Sequence, residues 1–423
     1  MTPSRPKTIS EKILSIKSGT DAYAGDIVVC DVDLVIGTDA SAPMSIAYFE
    51  KMGGRKLFDP ARVVFALDHY APASTPKTAA FHDQVRAFAR QTDARLHEAG
   101  EGISHQIVAE QGHVLPGDLV VGADSHTVTC GALNAFATGV GSSDLAAAMI
   151  TGRVWLRVPE TIEVVLTGER PRGVAAKDVA LALVSELGAD GANYQTLEIG
   201  GPAAAAFTLE ERFVFSNLAV ESGAKAAIFA ADDALDAYLT GRTAEKRVPV
   251  AADQGATYVR TVTIDLSALG PRVAVPHSPN DVVPIEQIIG TPVQMVFLGT
   301  CTGGRVPDFH EALDVLERSG GRVSPGVQLI VTPASREVFL RLIEDGTLAK
   351  LTAMGAVVTT PGCGACCGTS GAIPGDGMTV LSTANRNFKA RMGNASASIY
   401  LASPAACAAA AATGSITDPR TIG

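Results

Sequence analysis

The amino-acid sequence predicts an α/β fold of three domains with mostly parallel sheets. Short apolar runs typical of buried strands alternate along the chain with longer segments of helical spacing. Several of these runs end directly in acidic residues or in glycine-rich loops. At roughly 100–200 residues per domain, 423 residues have room for two to four domains. Alternating strands and helices indicate α/β layers, in which functional side chains collect at strand ends.

The composition excludes several classes of protein. A hydrophobic fraction of 47% with 18% charged residues is incompatible with intrinsic disorder. The formal charge of −10, without a long basic run, argues against a general nucleic-acid binder. The start lacks the apolar core of a signal peptide, and the alanine-rich tract 402–412 is too short to span a bilayer. Seven cysteines, an odd number, favour a reducing compartment, so we expect a cytoplasmic protein.

The first predicted domain covers residues 1–170. Its elements follow from apolar periodicity and from flanking glycines and prolines. The expected helices occupy 9–18, 81–99 and 142–152, and the expected strands occupy 26–33, 62–68, 119–124 and 161–167. The last strand leads into Gly168 and Pro171, which we interpret as a domain boundary.

The second and third predicted domains cover residues 171–275 and 276–423. In the second we expect a helix to Leu187, strands near Thr196 and Phe213, a helix near Ala231 and a strand at 259–266. The polar, proline-bearing segment 271–284 is another candidate boundary. In the third, with helices between them, short buried strands are expected at 293–298, 327–332, 356–359 and 379–382.

The sharpest chemical feature is Cys363-Gly-Ala-Cys366, with Cys301 about sixty residues upstream. All three follow apolar runs and lie in glycine-rich loops, which let the backbone approach a metal centre closely. Three thiols leave a coordination position open, as in catalytic metal sites. A redox dithiol is an alternative for the CxxC motif, and Cys363 with Cys367 is another possible pair. The remaining cysteines have apolar or small neighbours and are expected to fill the core: Cys30, Cys130 and Cys407.

Histidines and carboxylates form a second candidate feature. They occur at strand ends or in loops in four segments: Asp68-His69, Ser104-His105, Asp124-Ser125-His126, and Asn217 with Glu221. A carboxylate beside an imidazole orients the ring and raises its pKa, which suits a general acid. His69 and His126 are the two whose neighbouring Asp ends an apolar run, which favours an active site. The other histidines lack this context and are expected to be structural or at the surface: His82, His97, His113, His277 and His310.

The segment 382–391 is the third feature, with two arginines and two asparagines just after an expected strand. Arg386 and Arg391 are placed to bind separate carboxylates, each through two parallel hydrogen bonds. Asn385 can donate to a substrate oxygen or to a cluster sulfide. An ordinary polar helix start is the alternative. Together the three features describe an open metal or cluster site with acid–base histidines and carboxylate-binding arginines.

In their order along the chain, these motifs resemble the aconitase superfamily, and most closely its separate large subunits, those of 3-isopropylmalate dehydratase and homoaconitase. The resemblance runs through nearly the whole chain. Six ordered segments carry it: 68–69, 122–127, 216–221, 299–305, 361–366 and 385–391.

The resemblance implies one 4Fe–4S cluster per chain, held by Cys301, Cys363 and Cys366. One iron then lacks a cysteine and acts as a Lewis acid on the substrate hydroxyl. The family also has three histidine–carboxylate pairs, which here would be Asp68 with His69, Asp124 with His105, and Glu221 with His126.

The same resemblance assigns further roles. His69 would protonate the departing hydroxyl. The substrate-binding residues would be Ser125, Asn217, Asn385, Arg386 and Arg391, with Asn385 also bordering the cluster.

The resemblance further implies a partner. The family's base is a serine on a fourth, swivelling domain, and the chain stops some thirty residues after Arg391, so we expect that domain on a separate small subunit. The large subunit would be inactive alone. The expected reaction is the conversion of 2-isopropylmalate to 3-isopropylmalate by dehydration and rehydration, a step of leucine biosynthesis.

Three departures from the family pattern leave the substrate open. Gly303 replaces an asparagine usual in the cluster loop, Cys367 adds a thiol, and Pro43 lies near the position of a pocket glutamine, which argues against citrate. Homoaconitase or a methyl-substituted malate dehydratase are the alternatives within the superfamily. An iron-sensing RNA-binding protein and a zinc hydrolase that uses the same three cysteines are the alternatives from other classes.

Overall fold

The computed structural model describes residues 5–245 and 247–423, and these residues form four β-sheets of two, four, five and seven strands. The strands are, in chain order, β1 Ile27–Asp31, β2 Leu34–Thr38, β3 Val63–Ala66, β4 Arg95–His97, β5 Leu119–Gly122, β6 Phe136–Gly139, β7 Arg153–Arg157, β8 Thr161–Thr167, β9 Thr196–Gly200, β10 Ala226–Phe229, β11 Arg260–Asp265, β12 Arg272–Ala274, β13 Val282–Pro284, β14 Met295–Gly299, β15 Gln328–Thr332, β16 Val357–Val358, β17 Thr379–Ser382 and β18 Ser398–Leu401.

Twelve α-helices lie in the same described ranges. They are α1 Ile9–Ser18, α2 Ala42–Lys51, α3 Pro76–Thr92, α4 Ser104–Glu110, α5 Ser142–Thr151, α6 Ala176–Leu187, α7 Leu209–Leu218, α8 Asp233–Leu239, α9 Val306–Arg318, α10 Arg336–Glu344, α11 Thr347–Ala353 and α12 Pro404–Thr413. Within these ranges, no helix combines the length and the hydropathy that a membrane crossing needs.

The first sheet contains five parallel strands in the order β4-β3-β2-β5-β6. Its three middle strands are buried along their whole length, as continuous apolar strands of a parallel sheet are. Asp39, Asp68 and Asp124 follow the carboxyl ends of these three strands. Because parallel strands end at the same edge, the sheet brings the three carboxylates together.

The second sheet contains four parallel strands in the order β10-β9-β8-β11. The sequence analysis put the strand 161–167 in the first domain, before a boundary at residue 170. As β8, it instead pairs with β9 and β11 of the second sheet. The glycine and proline after β8 form the turn toward α6, and such a turn signal also occurs inside a domain. The division into three domains stays a prediction.

The third sheet has seven strands in the order β13-β12-β18-β17-β14-β15-β16. The last five of these are parallel, and β12 and β13 form an antiparallel hairpin at one edge. The hairpin occupies the segment 271–284, which the sequence analysis treats as a boundary. The loops that follow β14, β16 and β17 leave the same edge of the sheet. They contain, in this order, Cys301, the Cys363–Cys366 motif and the arginine-bearing segment 385–391.

The α/β prediction is confirmed, and several elements have the expected bounds, among them α1, β8 and β17. The strand expected near Phe213 is wrong, because Phe213 lies in α7. Thr208 and Glu211 form a capping box that starts this helix. Such a cap specifies a helix start where a short apolar run does not distinguish helix from strand.

The helix expected at 81–99 is shorter and shifted. It is α3, which begins after a Thr75 cap and ends at Asp93, a residue in the left-handed conformation (φ 56°). The chain then returns to the first sheet as β4.

The second and third sheets share one hydrophobic core. Side chains of α6 and α7, such as Leu183 and Phe215, belong to the same buried cluster as Phe297 of β14 and Val380 of β17. The helix α6 therefore shares a core with β14, whose loop carries Cys301.

Candidate active site

Three cysteine side chains meet at one small cavity. Cys301 follows the end of β14, and Cys363 and Cys366 lie in the loop after β16. Both loops leave one edge of the third sheet, which brings residues some sixty positions apart together. The residues that line the cavity are His69, Ile103, His105, Asp124, His126, Thr300, Cys301, Cys363, Cys366, Cys367, Asn385 and Arg391.

Nitrogen donors are directed at two of the sulfur atoms. Nδ2 of Asn217 donates to Sγ of Cys301 at 3.1 Å, and Nδ2 of Asn385 donates to the same atom at 3.4 Å. Nη2 of Arg391 donates to Sγ of Cys366 at 3.4 Å. The charge of Cys366 raises the pKa of Arg391, against the opposing effect of burial. Donors of this kind stabilise thiolates and the sulfides of a cluster.

The thiols fit a metal cluster better than a single metal ion. Among the described residues, the ligand atoms grouped within 4.8 Å of one another belong to Asp68, His69 and Cys363, and not to the three cysteines. A zinc ion bonded to three thiolates at about 2.3 Å holds their sulfur atoms roughly 4 Å apart. The cysteines, with N–H donors directed at their sulfur atoms, match the ligands of an iron–sulfur cluster.

Asp124 lies at the centre of the cavity wall that faces the cysteines. Its carboxylate oxygens lie 3.3 Å from Nε2 of His69, 3.4 Å from Nε2 of His105 and 3.5 Å from Nδ1 of His126. Burial favours a raised pKa, but the hydrogen-bonding imidazoles outweigh it and lower the pKa of Asp124 well below its ordinary value. One carboxylate thus contacts three rings, whereas the sequence analysis pairs it with His105 alone.

His69 is oriented by Asp68. Its Nδ1 lies 2.7 Å from Oδ1 of Asp68, whose Oδ2 accepts the backbone N–H of Ser104 at 2.8 Å. Burial opposes a charged ring, but the negative charges of Cys363 and Asp68 and the contact with Asp124 raise the pKa of His69 well above its ordinary value. The ring is thus held as a proton donor that faces the cavity.

The third pair joins residues far apart in sequence. Nε2 of His126 lies 3.0 Å from Oε1 of Glu221, and Nε of Arg386 donates to the same oxygen at 2.8 Å. Burial favours a raised pKa, but His126 and Arg386 lower the pKa of Glu221. The guanidinium of Arg386 is therefore already bound to a carboxylate through Nε.

Three of the singled-out residues have surroundings that the sequence did not specify. Ser125 lines an open groove beside the cavity, and Asp124 lines both. Asn217 is fully buried, and its side-chain amide donates to Cys301 and does not face open space. Cys367 lines the cavity, with its Sγ 2.8 Å from Oγ1 of Thr369.

The glycine at position 303 is explained by its neighbour. A Cβ at this position would lie 2.3 Å from the Cβ of Thr383. Oγ1 of Thr383 accepts the backbone N–H of Gly299 at 2.9 Å, so this side chain is fixed in place. An asparagine at position 303 therefore does not fit beside Thr383 as this side chain is placed.

Asp39 is a site-supporting residue that the sequence analysis missed. It is fully buried, and its two oxygens accept the backbone N–H groups of His69 and Tyr70, both at 2.9 Å. Nε2 of His82 also lies 2.9 Å from Oδ2 of Asp39. Asp39 therefore positions the loop that carries His69. The signal was available, because Asp39 follows β2 as Asp68 and Asp124 follow their strands.

Known proteins resemble this chain over nearly its whole length. A model of the aconitase family (aconitate hydratase) matches residues 11–414. The large subunit 2 of 3-isopropylmalate dehydratase from Archaeoglobus fulgidus is 46% identical over 418 residues, which cover 98% of this chain and 99% of the relative. The large subunit 1 of 3-isopropylmalate dehydratase from Methanopyrus kandleri is 44% identical over 415 residues, with 98% and 99% coverage.

A solved structure supports the fold. The holo-form of aconitase X from Thermococcus kodakaraensis superimposes with a TM-score of 0.50 over 90% of this chain and 89% of that chain. The sequence identity is 13%, so this likeness concerns the fold alone.

Proposed function

Because the chain belongs to the aconitase family, we propose that it is the large subunit of a hydro-lyase that converts 2-isopropylmalate to 3-isopropylmalate. The relatives that support this substrate carry the name 3-isopropylmalate dehydratase large subunit and match nearly the full chain. The observation that carries the proposal is the convergence of three thiols, three imidazole–carboxylate pairs and two arginines at one place.

The proposal includes a 4Fe–4S cluster with Cys301, Cys363 and Cys366 as its ligands. Such a cluster, when bound, supplies a Lewis acid that makes hydroxide a better leaving group. The donors from Asn217 and Asn385 support the thiolate of Cys301.

His69 has the position of the general acid. Nδ1 is held by Asp68, so Nε2, which lies 3.3 Å from Oδ2 of Asp124, is the nitrogen that would donate a proton to the departing hydroxyl oxygen in place of this contact. The negative charge of Asp68 stabilises the charged ring before the transfer. In the reverse direction, during rehydration, the neutral ring accepts a proton from water.

Arg391 and Arg386 are the proposed partners of the substrate carboxylates. Arg391 lines the cavity, and its Nε is buried without a hydrogen-bond partner among the described residues. Arg386 donates through Nε to Glu221, which leaves its terminal nitrogens for a substrate carboxylate. Two such arginines fit a hydroxy dicarboxylate.

The proposed partner is a small subunit that carries a catalytic serine. No serine is among the residues that line the cavity in the described parts of the chain. The relatives are named as large subunits, which fits an active site completed by another chain. The base that removes the carbon-bound proton would come from that subunit. All seven cysteines are free, which fits the proposed cytoplasmic location.

The test is co-expression with the small subunit, anaerobic purification and an assay of 2-isopropylmalate for the unsaturated intermediate. We expect turnover by the complex and none by the large subunit alone. A panel with homocitrate and methyl-substituted malates identifies the substrate. A cluster-loaded complex that turns over none of these acids contradicts the proposal, and so does a colourless, zinc-loaded protein.

A further inference from the structure

A buried lysine lies beneath the loop that carries Cys301. Lys177 is on α6, in the layer of the second sheet, and its residue exposure is 2%. Nζ donates to Oγ1 of Thr302 at 3.1 Å, to the carbonyl oxygen of Thr383 at 3.0 Å and to that of Ala384 at 2.7 Å. All three donor sites of the ammonium are used.

These contacts tie together two loops of the third sheet. Thr302 is adjacent to Cys301, and Ala384 is adjacent to Asn385, whose amide donates to Cys301. Oγ1 of Thr302 also donates to the carbonyl oxygen of Thr383 at 2.8 Å. The lysine therefore fixes the position of the Cys301 loop relative to the loop that carries Asn385, whose amide donates to Cys301.

The charge of Lys177 has no ion-pair partner in the described part of the chain. No carboxylate oxygen lies within 4.0 Å of its Nζ, and its three acceptors are neutral oxygens. A buried ammonium without a counter-charge is costly, so buried charges are normally paired. Burial lowers the pKa of Lys177 to about 8, and the negative groups that oppose this from further away are the thiols of Cys301, Cys407 and Cys366 and the Asp308 carboxylate.

We propose that Lys177 is a positioning residue for the cluster, which clamps the Cys301 and Asn385 loops and supplies the counter-charge for the bound thiolates. The inference rests on the cluster of the proposed function. A fixed positive charge near a cluster favours the reduced form, which carries one more negative charge, and so raises the reduction potential.

Lys225 offers a matched control. It is also a lysine shielded from solvent, and its Nζ donates to a backbone carbonyl, that of Gly139, at 3.1 Å. It lines the groove beside the cavity and does not contact the cysteine loops. Lys225 is only half-buried, so Lys225→Met shows the effect of losing a shielded lysine that lies away from the cysteine loops.

The experiment compares the wild type with Lys177→Met, Lys177→Gln, Lys177→Arg and Lys225→Met. All are reconstituted anaerobically, checked for folding by circular dichroism, and measured for iron and sulfide content and for midpoint potential by redox titration followed by electron paramagnetic resonance. The neutral Gln variant keeps an N–H donor, so it separates the loss of charge from the loss of the clamp. The Arg variant keeps the charge.

We expect the Met and Gln variants to have a lower midpoint potential than the wild type and to lose iron in air several-fold faster, with Arg close to the wild type and Lys225→Met unchanged. If neither neutral variant holds a cluster although both fold, while Lys177→Arg does, the role is also supported. Unchanged potentials in cluster-loaded Met and Gln variants overturn it, as does a Lys177→Arg variant that behaves like Lys177→Met. A wild-type protein without iron and sulfide instead contradicts the proposed function, and this is seen before any variant is compared.

Discussion

The two walls of the cavity are built from opposite chemistry. On the wall from the third sheet, sulfur atoms accept hydrogen bonds from two amides and a guanidinium. On the wall from the first sheet, three imidazoles lie against carboxylates, with Asp124 in contact with all three. The walls meet at Cys363, which shares a group of close ligand atoms with Asp68 and His69.

The two walls suit two different tasks, the binding of a cluster and the transfer of protons. Neutral and cationic donors around sulfur suit a bound group with negative charge. Carboxylates around imidazole raise the pKa of the ring and suit the transfer of protons. If this division is correct, substitutions on the sulfur wall should remove the cluster, and substitutions on the imidazole wall should leave it in place.

Removal of one thiol should have the largest effect. In Cys363→Ser the cluster loses one of three ligands, so we expect iron, sulfide and turnover to fall to near background. Metal and sulfide analysis of anaerobic protein checks this. Cys30→Ala, which changes a cysteine in the core packed against α1, should retain the cluster. Full iron content in Cys363→Ser would contradict the assignment of the sulfur wall.

On the imidazole wall, His69→Gln should keep the cluster and lose turnover. The loss of a general acid lowers kcat by about 10²–10⁴-fold. Steady-state kinetics of the complex and the visible spectrum are the measurements. The control is His310→Gln, a half-exposed histidine whose ring is paired with Asp345. A kcat within a few-fold of the wild type would show that the proton comes from elsewhere.

Arg391 lines the cavity between the two walls and is the proposed partner of a substrate carboxylate. Arg391→Lys keeps the charge but loses the planar fork, so KM for the dicarboxylate should rise about tenfold, with a smaller change in kcat. The exposed Arg336→Lys is the matched control. An unchanged KM would mean that Arg391 serves Cys366 alone.

A buried carboxylate away from the imidazoles sharpens the comparison. Glu198 accepts the backbone N–H of Ser10 at 3.0 Å and the hydroxyl of Tyr258 at 3.2 Å. Burial raises the pKa of Glu198 to about 7, and the hydrogen bonds to this carboxylate oppose the rise only in part. The pKa of Asp124, by contrast, is lowered by its imidazole neighbours. The folded state therefore keeps a proton that the unfolded chain releases above its ordinary pKa, and stability falls as the pH rises through this window.

Glu198→Gln should remove this dependence. Between about pH 4.5 and 7 the free energy of unfolding of the wild type should fall by up to roughly 3 kcal/mol, since one pKa unit corresponds to about 1.4 kcal/mol. That of the variant should not fall. Thermal unfolding at pH 5 and pH 8 measures this difference in stability. The variant should become more stable relative to the wild type only at pH 8. Equal differences at both pH values would show that Glu198 titrates normally.

Much of the site could be predicted from the sequence because its residues follow strands. The aspartates at 68 and 124 and the cysteines at 301, 363 and 366 each come shortly after an apolar run. Asp39 obeys the same rule, but β2 was not expected and so its aspartate was missed. Phe213 shows the limit of the method, because an apolar run in α7 has the length of a strand.

The sequence by itself determined which side chains are candidates for the chemistry and that they lie in loops at strand ends, because apolar periodicity, caps and glycines act over a few residues. Only the tertiary structure decided which of these side chains touch. The contact of His126 with Glu221, the three rings on Asp124 and the lysine beneath Cys301 join segments up to 95, 55 and 207 positions apart, respectively. Such contacts depend on the order of strands in a sheet and on how two sheets share a core, and local spacing does not contain that information.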